Sequence, residues 1–202
     1  MSVAGPRARA LIRPRVAGDL PALGQVLTAQ QPHSGYPQTW PSAGPAEEFL
    51  TRPGELVAFV AEAPATGPTT LGPTSTSPTA PGRVCGHVSV TRVEPSPEAD
   101  GWAAGTGRPL AELAAVSVLF VDHEMAGQGV GGALLDAAVG WIREHDLVPV
   151  LDVVSESHDA VRFYRRRGWQ EIGQARPHWL PAQLEPVLLM ALSNDAGLSW
   201  RT

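Results

Sequence analysis

The segment Val118-Leu119-Phe120-Val121-Asp122-His123-Glu124-Met125-Ala126-Gly127-Gln128-Gly129-Val130-Gly131-Gly132-Ala133-Leu134-Leu135 carries the most specific chemistry in the chain. An apolar strand runs into a short polar link, then Gly127, Gly129 and Gly131 alternate, and an amphipathic helix begins. Glycines let a backbone approach an anion closely, and the free N–H groups of a helix N-terminus point at it. This order predicts a cradle for a phosphate-bearing cofactor. Read literally, Gly127-x-Gly129-x-x-Gly132 fits the dinucleotide fingerprint, with Asp152 about where a ribose-binding acid would stand. In that motif, however, the first glycine almost touches the strand end, whereas Asp122 to Ala126 intervene here. Too little chain follows Asp152 to complete a doubly wound sheet.

The elements that must position this cradle are legible from periodicity. Ala8 to Arg13 reads as a strand ended by Pro14. Asp19 is placed to cap a helix with Leu20, Leu23, Val26 and Leu27 on one face, stopped by Pro32. An aromatic, proline-punctuated loop, His33 to Pro41, precedes a short helix at Ala46 to Leu50. Strands follow at Leu56 to Glu62 and Arg83 to Val93, the latter with Val84, Val88 and Val90 on one face. Leu113 to Val121 is the strand entering the glycine run. Gly131 to Glu144 is the clearest helix, striped by Leu134, Leu135, Ala138, Val139 and Ile142. Val148 to Val154 is nearly all apolar, as expected of a strand covered on both faces. A last helix, capped by Ser157 or Asp159, buries Ala160, Phe163 and Tyr164 and ends before Gly168. Trp169 to Gln174 and Val187 to Leu192 complete the strands. The expectation is one domain over residues 1–202, with flexible insertions at about 63–82 and 94–110.

Composition narrows the functional classes. Hydrophobic residues make up 43% of 202 and charged residues 17%, which suits a globule with a real core. The net charge of −5 provides no basic field for nucleic acid. Apolar runs are strand-length, short of the ~20 residues of a membrane span, and the N-terminus has no apolar signal core. A single cysteine, Cys85, allows neither an internal disulfide nor a cysteine zinc cluster and reads as a buried small residue. A cytoplasmic, bacterial protein with no metal, no nucleic acid partner and no membrane is expected.

From Ala114 to Ile172 the succession of strand, polar link, xxGxG, amphipathic helix, apolar strand, polar turn and helix ending Phe163-Tyr164-Arg165-Arg166-Arg167-Gly168-Trp169 resembles the GNAT N-acetyltransferase superfamily. The family loop Arg/Gln-x-x-Gly-x-Gly/Ala falls on Ala126-Gly127-Gln128-Gly129-Val130-Gly131, with Ala126 at the first position. A second register, Gln128-x-x-Gly131-x-Ala133, would push the loop into the helix. The family signature Asn-x-x-Ala reads Ser157-His158-Asp159-Ala160 here. The resemblance implies an α/β (α+β) fold: a mixed, mostly antiparallel twisted sheet with a splayed central pair of strands and helices on both faces. It implies acetyl-CoA as cosubstrate and an amine acceptor, a small molecule or a peptide. The backbone of Leu119, Phe120 and Val121 would pair with the pantetheine arm. Ala126, Gly127, Gln128, Gly129, Val130, Gly131 and Gly132 would hold the pyrophosphate, with Ser157 and Tyr164 also on the cofactor.

Acetyl transfer needs a proton for the leaving thiolate and a base for the amine. Tyr164 matches the family tyrosine near the sulfur, and a phenol of pKa ~10 is protonated at neutral pH. Many family members place a glutamate before the loop, at the position held here by Ala115. Glu112, the nearest acid, is the expected base, with Glu94, His87 and Asp100 as other candidates or a water as relay. His87 reads as a structural strand residue, and Asp122-His123-Glu124 as a solvated link. Arg165-Arg166-Arg167 reads as a solvated basic face within reach of the cofactor's phosphates. The acceptor is expected between the His33 to Trp40 loop and Pro177 to Pro181, with Tyr36, Trp40 and Trp179 as its walls. A non-catalytic acyl-CoA sensor and an NAD(P)-binding oxidoreductase remain alternatives. A homodimer through an exposed C-terminal strand edge is compatible with the pattern.

Overall fold

The computed structural model describes residues 10–40, 44–64 and 82–193. Seven strands form one sheet: β1 Leu11–Pro14, β2 Glu55–Ala63, β3 Arg83–Arg92, β4 Leu113–Val121, β5 Val148–Val153, β6 Gln170–Ala175 and β7 Val187–Ala191, in the order β1-β2-β3-β4-β5-β7-β6. Every neighbouring pair is antiparallel except β4 with β5. This mixed, mostly antiparallel sheet is the expected architecture and excludes the doubly wound parallel sheet that a dinucleotide fingerprint would need. Five α-helices accompany it: α1 Leu20–Ser34, α2 Ala46–Leu50, α3 Pro97–Thr106, α4 Val130–Glu144 and α5 His158–Arg165.

The core lies on both faces of the sheet. On one face α4 lays Leu134, Leu135, Ala138, Val139 and Ile142 against Val88, Val90, Ala114, Val116, Leu151 and Met190. It sits so close to β3 that a Cβ at Gly86 would stand 2.9 Å from Leu134 Cδ1. On the other face α1 packs Leu23, Val26 and Leu27 on Val60, Val84, Val118 and Phe120. Beside it α3 packs Ala99 and Trp102 on Leu113, Ala115, Val148, Val150 and Leu189. On that face the α1 cluster, which includes Val118 and Phe120 of β4, is separate from the α3 cluster, which includes Val150 of β5.

Several local expectations are corrected. The Pro/Gly-rich stretch 94–110, expected as a flexible insertion, contains α3. Ser96 Oγ accepts the Ala99 N–H at 3.1 Å, Pro97 starts the helix, and Gly107 at φ 65° ends it. Its internal glycines serve close packing: a Cβ at Gly105 would lie 2.7 Å from Ile172, and Gly101 is filled by Leu189. Pro32 does not stop α1, which continues to Ser34 and closes on Gly35 at φ 69°. Asp19 makes no side-chain cap on α1. Its carboxylate accepts the Val16 N–H and pairs with Arg13 at 2.8 Å. Pro14 ends β1 as expected, as its last residue, on an edge strand that tolerates a missing donor. Val84 faces α1 while Val88 and Val90 face α4, because a register shift at Cys85 moves the alternation by one. In α5 the fully buried residue is Val161, with Ala160, Phe163 and Tyr164 half-buried around it. The C-terminal strand β7 is interior, between β5 and β6, so the edges are β1 and β6. The expected mobile loop at Pro64 to Gly82 and the start of the first strand lie largely outside the described residues.

Trp102 is 6% exposed and donates its Nε1–H to the Leu151 carbonyl at 3.1 Å, tying α3 to β5. Trp102→Ala should lower unfolding free energy by about 3–5 kcal/mol, and Trp102→Phe, which removes the N–H donor and part of the ring volume, by about 1–2 kcal/mol. Urea titration at pH 7 measures both. A wild-type value for Trp102→Ala would return this segment to a loose insertion.

Candidate active site

The parallel ladder between β4 and β5 has only the pairs Leu113↔Val148, Ala114↔Pro149 and Ala115↔Val150. Beyond Ala115 the strands part, although β4 runs on to Val121 and β5 to Val153. The β4 backbone from Val116 onward therefore has no strand on its β5 side, and an extended ligand can complete that edge. Leu119, Phe120 and Val121 lie on this free stretch, with Ser117, Leu119 and Val121 half-buried and Phe120 buried.

A bulge lies on this free stretch of β4. The β3–β4 register jumps from Ser89↔Ser117 to His87↔Phe120, and Val118 sits there at φ 50°. A β-branched residue in the left-handed region is strained by a few kcal/mol and needs neighbours to hold it. His87, fully buried, donates its Nδ1–H to the Val118 carbonyl at 3.0 Å and accepts from Arg15 Nη1 at 3.1 Å through Nε2. One neutral tautomer satisfies both contacts. Arg15 also donates to the Leu50 carbonyl at 2.8 Å and pairs with Glu55 at 2.6 Å. His87 is thus the structural strand histidine expected from the sequence. Burial, with Arg15 beside it, depresses its pKa to about 4.

At the open end the glycine loop enters α4. Gly127 and Gly129 take φ 73° and 82°, and no atom lies within 4 Å of where their Cβ would be, so the loop is left-handed and open on its outer side. Gly129 stands at the N-cap with no side chain capping the helix, and the first turn holds no acid. Ala133 N–H donates to the Gly129 carbonyl at 3.0 Å, leaving the preceding amides of Val130, Gly131 and Gly132 aimed out of the helix. These features fit a pyrophosphate. Ala126 and Gln128 are exposed, and Gln128 Nε2 donates back to the Glu124 carbonyl at 3.0 Å. Arg167 lies over Gly132, where a Cβ would displace its guanidinium, and pairs with Asp136 at 2.9 Å. Arg165 pairs with Glu171 at 2.9 Å. Asp122, read as solvated, is buried. It pairs with Arg83 at 2.7 Å and accepts the Glu124 N–H at 3.0 Å, which fixes the link into the loop.

Tyr164 reaches the parting strands from α5, edge-on to Phe163 and Trp169 at 5.2 and 5.9 Å. Burial raises its phenol pKa, as do Tyr36 and Asp152 nearby. Ser157 occupies the α5 N-cap position without a side-chain cap bond, so its hydroxyl is uncommitted to the helix. Glu112 is not brought to this point. It is exposed, pairs with Arg108 at 3.1 Å, and precedes the closed end of β4. At the ~3.3 Å rise of a strand its position lies about 10 Å before the last β4–β5 pair, on the closed side. Glu94 and Asp100 are exposed.

The acid at the junction is Asp152, two residues past the last β4–β5 pair. Glu98 of α3, Arg52 after α2, Tyr36 of the loop after α1, and Tyr164 all act electrostatically on it or are acted on by it. Burial, reinforced by Glu98, raises its pKa to about 6, while Arg52 draws it back. Sequence reasoning considered Asp152 only as a ribose ligand. The available signal was a lone carboxylate in an otherwise apolar strand. Tyr36 is held by Gln30 Nε2, which donates to its carbonyl at 2.6 Å, and packs edge-on against Phe49 at 6.0 Å. Trp40 is half-buried in the α1 cluster, and Trp179 is 49% exposed. Among the described residues, no group of His, Cys, Asp and Glu is arranged to hold a metal, and no helix is long and apolar enough to cross a membrane.

His87 and Asp152 oppose each other in acid. The His87 pKa is lower in the folded state than its unfolded value, so the unfolded chain binds more protons and stability falls as pH drops from about 6.5 toward 4. The Asp152 pKa is higher when folded, so its contribution grows as pH drops through 6. Asp152→Asn should expose the His87 loss, about 2 kcal/mol between pH 7 and 5. Adding His87→Gln should flatten it, read by urea titration at both pH values. An unchanged slope in the double variant would place the titration elsewhere.

Residues 97–178 match the model of the acetyltransferase (GNAT) domain family. No curated protein matches the chain. Solved structures share its fold at low identity. A GCN5-related N-acetyltransferase from Kribbella flavida is 19% identical with a TM-score of 0.59, covering 91% of this chain and 96% of that one. Arabidopsis thaliana NAA60 in complex with acetyl-CoA is 18% identical with a TM-score of 0.62, covering 90% and 97%. The ribosomal-protein-S18-alanine N-acetyltransferase of Escherichia coli is 16% identical with a TM-score of 0.57, covering 95% and 99%. With its parted β4 and β5 and its open glycine loop, the chain shares the fold of these solved structures, and its segment 97–178 is similar to the acetyltransferase (GNAT) domain.

Proposed function

We propose that this protein transfers an acetyl group from acetyl-CoA to a primary amine, by direct attack with both substrates bound. The observation that carries the reading is the coincidence of three features at one junction: a free β4 edge, an uncapped α4 N-terminus behind an open glycine loop, and Tyr164 beside Asp152. Acetyl-CoA supplies the activated acetyl group, held in thioester linkage. The amides of residues 127–132 bind the pyrophosphate, with Arg167 over Gly132 adding positive charge. The backbone of Leu119 to Val121 aligns the pantetheine arm, and Ser157 has its hydroxyl free to hydrogen-bond it.

Asp152 takes the role first expected of Glu112. Its carboxylate accepts a proton from the acceptor's ammonium group, and the freed nitrogen lone pair forms the new bond to the acetyl carbon as the C–S bond breaks. Tyr164 then gives its hydroxyl proton to the departing thiolate sulfur, and the second proton that the nitrogen loses on becoming an amide returns to the phenolate. Burial suits both assignments. It holds the phenol protonated at neutral pH and gives the carboxyl a proton affinity high enough for general base work. The acceptor reaches this point through the gap between α1–α2 and α3, past Tyr36, Arg52 and Glu98.

Calorimetry with acetyl-CoA should show micromolar binding, with NADPH silent. Gly129→Ala, forced to φ 82°, should weaken that binding at least tenfold. Tyr164→Phe should lower kcat about 10²-fold, and Asp152→Asn should lower kcat/KM about 10²–10³-fold. The wild-type kcat/KM should rise with pH to a plateau through an apparent pKa near 6, a limb lost in Asp152→Asn. The groups facing Asp152 that set this limb are Glu98, Arg52, Tyr36 and Tyr164. Absence of acetyl-CoA binding would refute the function, and a limb that survives Asp152→Asn would refute the base.

A further inference from the structure

On the path proposed for the acceptor stands Arg52, an arginine without an ion pair among the described residues. Arg52 is half-buried, and its Nε is buried without a hydrogen-bond partner. Its guanidinium carbon lies 4.3 Å above the Phe49 ring, which steadies the plane but satisfies no donor. Among the described residues it forms no ion pair, whereas Arg13, Arg15, Arg83, Arg165 and Arg167 each have a carboxylate. The other unpartnered buried polar atom, Glu55 Oε2, belongs to a carboxylate already paired with Arg15 through Oε1. Arg15 grips Leu50 and Glu55 on either side of Arg52, so the turn that presents Arg52 is fixed. A rigidly presented guanidinium with a buried unmet donor is costly unless a ligand supplies the acceptor atoms. Across the same gap stand the opposite charges: Asp152 at the strand junction and Glu98 on α3, with the Tyr36 hydroxyl close to Arg52. The gap is therefore dipolar, acidic where the amine must sit and basic on its α2 side.

We propose that the acceptor is a small zwitterionic amino acid, its ammonium group at Asp152 beside Tyr164 and its carboxylate on the Arg52 guanidinium, with the Tyr36 hydroxyl as a further donor to that carboxylate. The proposal rests on the acetyltransferase reading above and names its substrate class. A bidentate guanidinium–carboxylate pair would satisfy Nε and align the amine toward the reacting centre. A polyamine would set a second cation against Arg52. A peptide N-terminus would offer it only a neutral carbonyl.

The test measures coenzyme A release with a thiol reagent at saturating acetyl-CoA. The acceptors are the twenty proteinogenic L-amino acids, β-alanine and 4-aminobutyrate, each beside its carboxamide, with spermidine and a tripeptide for contrast. At least one free acid should exceed its carboxamide tenfold or more in kcat/KM. Arg52→Gln should lower kcat/KM for that acid about 100-fold, mainly through KM, and bring the acid-to-amide ratio near one. Arg52→Lys should restore part of the ratio. Retained acetyl-CoA affinity in these variants shows that they are folded. Turnover of spermidine, the tripeptide or the carboxamides at or above the acids overturns the proposal, as does an acid preference that survives Arg52→Gln. A protein that binds acetyl-CoA and turns over no acid overturns it too, with the acetyltransferase reading intact if another amine reacts. Failure to bind acetyl-CoA removes that reading itself.

Discussion

The site depends on one interruption of backbone pairing: β4 and β5 run parallel and stop sharing hydrogen bonds after Ala115↔Val150. Parallel neighbours normally bury such a ladder along its whole length, because unpaired backbone groups in a protein interior are costly. Here the cost is accepted on one side of β4 and the opening faces the loop that enters α4. The strain at Val118 is offset locally. His87 holds the bulged carbonyl, and Arg15 satisfies the other nitrogen of His87 while reaching Leu50 and Glu55. A strand bulge, a buried histidine and the turn that carries Arg52 are thus one connected polar network under α1.

That network explains how two faces of the sheet contribute to one site. Tyr164 arrives from the α4–α5 face, while Tyr36, Arg52 and Glu98 arrive from the α1–α3 face. In a closed sheet the strands would separate them. Tyr164 and Asp152 are near enough for the Asp152 charge to raise the Tyr164 pKa. Burial does the chemical tuning on both sides, holding the phenol protonated and bringing the carboxyl into the range where a general base works near neutral pH.

Packing economy also decides what the glycines do. Gly127 and Gly129 are needed for positive φ in a loop open to solvent. Gly86, Gly101 and Gly105 are needed because a neighbour occupies the space of their Cβ. The two roles look the same in one dimension. This is why the glycine-rich stretch 94–110 reads as a loose insertion although it forms α3, and why α3 brings Glu98 to the acceptor gap.

The sequence by itself determined the periodic elements and the open glycine loop proposed to hold the cofactor. Leu113–Val121, Ala46–Leu50 and the α4 stripe are local patterns, and a glycine run between strand and helix is a local device, so neighbouring residues suffice to specify them. Tyr164 was legible as a candidate because its helix and the Gly168 turn carry a compact signature. The base and the acceptor wall proposed above rest on the tertiary structure alone. Glu112 is near the glycine run in sequence, yet it lies at the closed end of β4, because strands separate residues linearly along their length. Asp152, Glu98, Arg52 and Tyr36 lie on four different elements. Their charges meet only once the sheet order, the Val118 bulge and the helix packing are in place, and no spacing along the chain encodes that meeting.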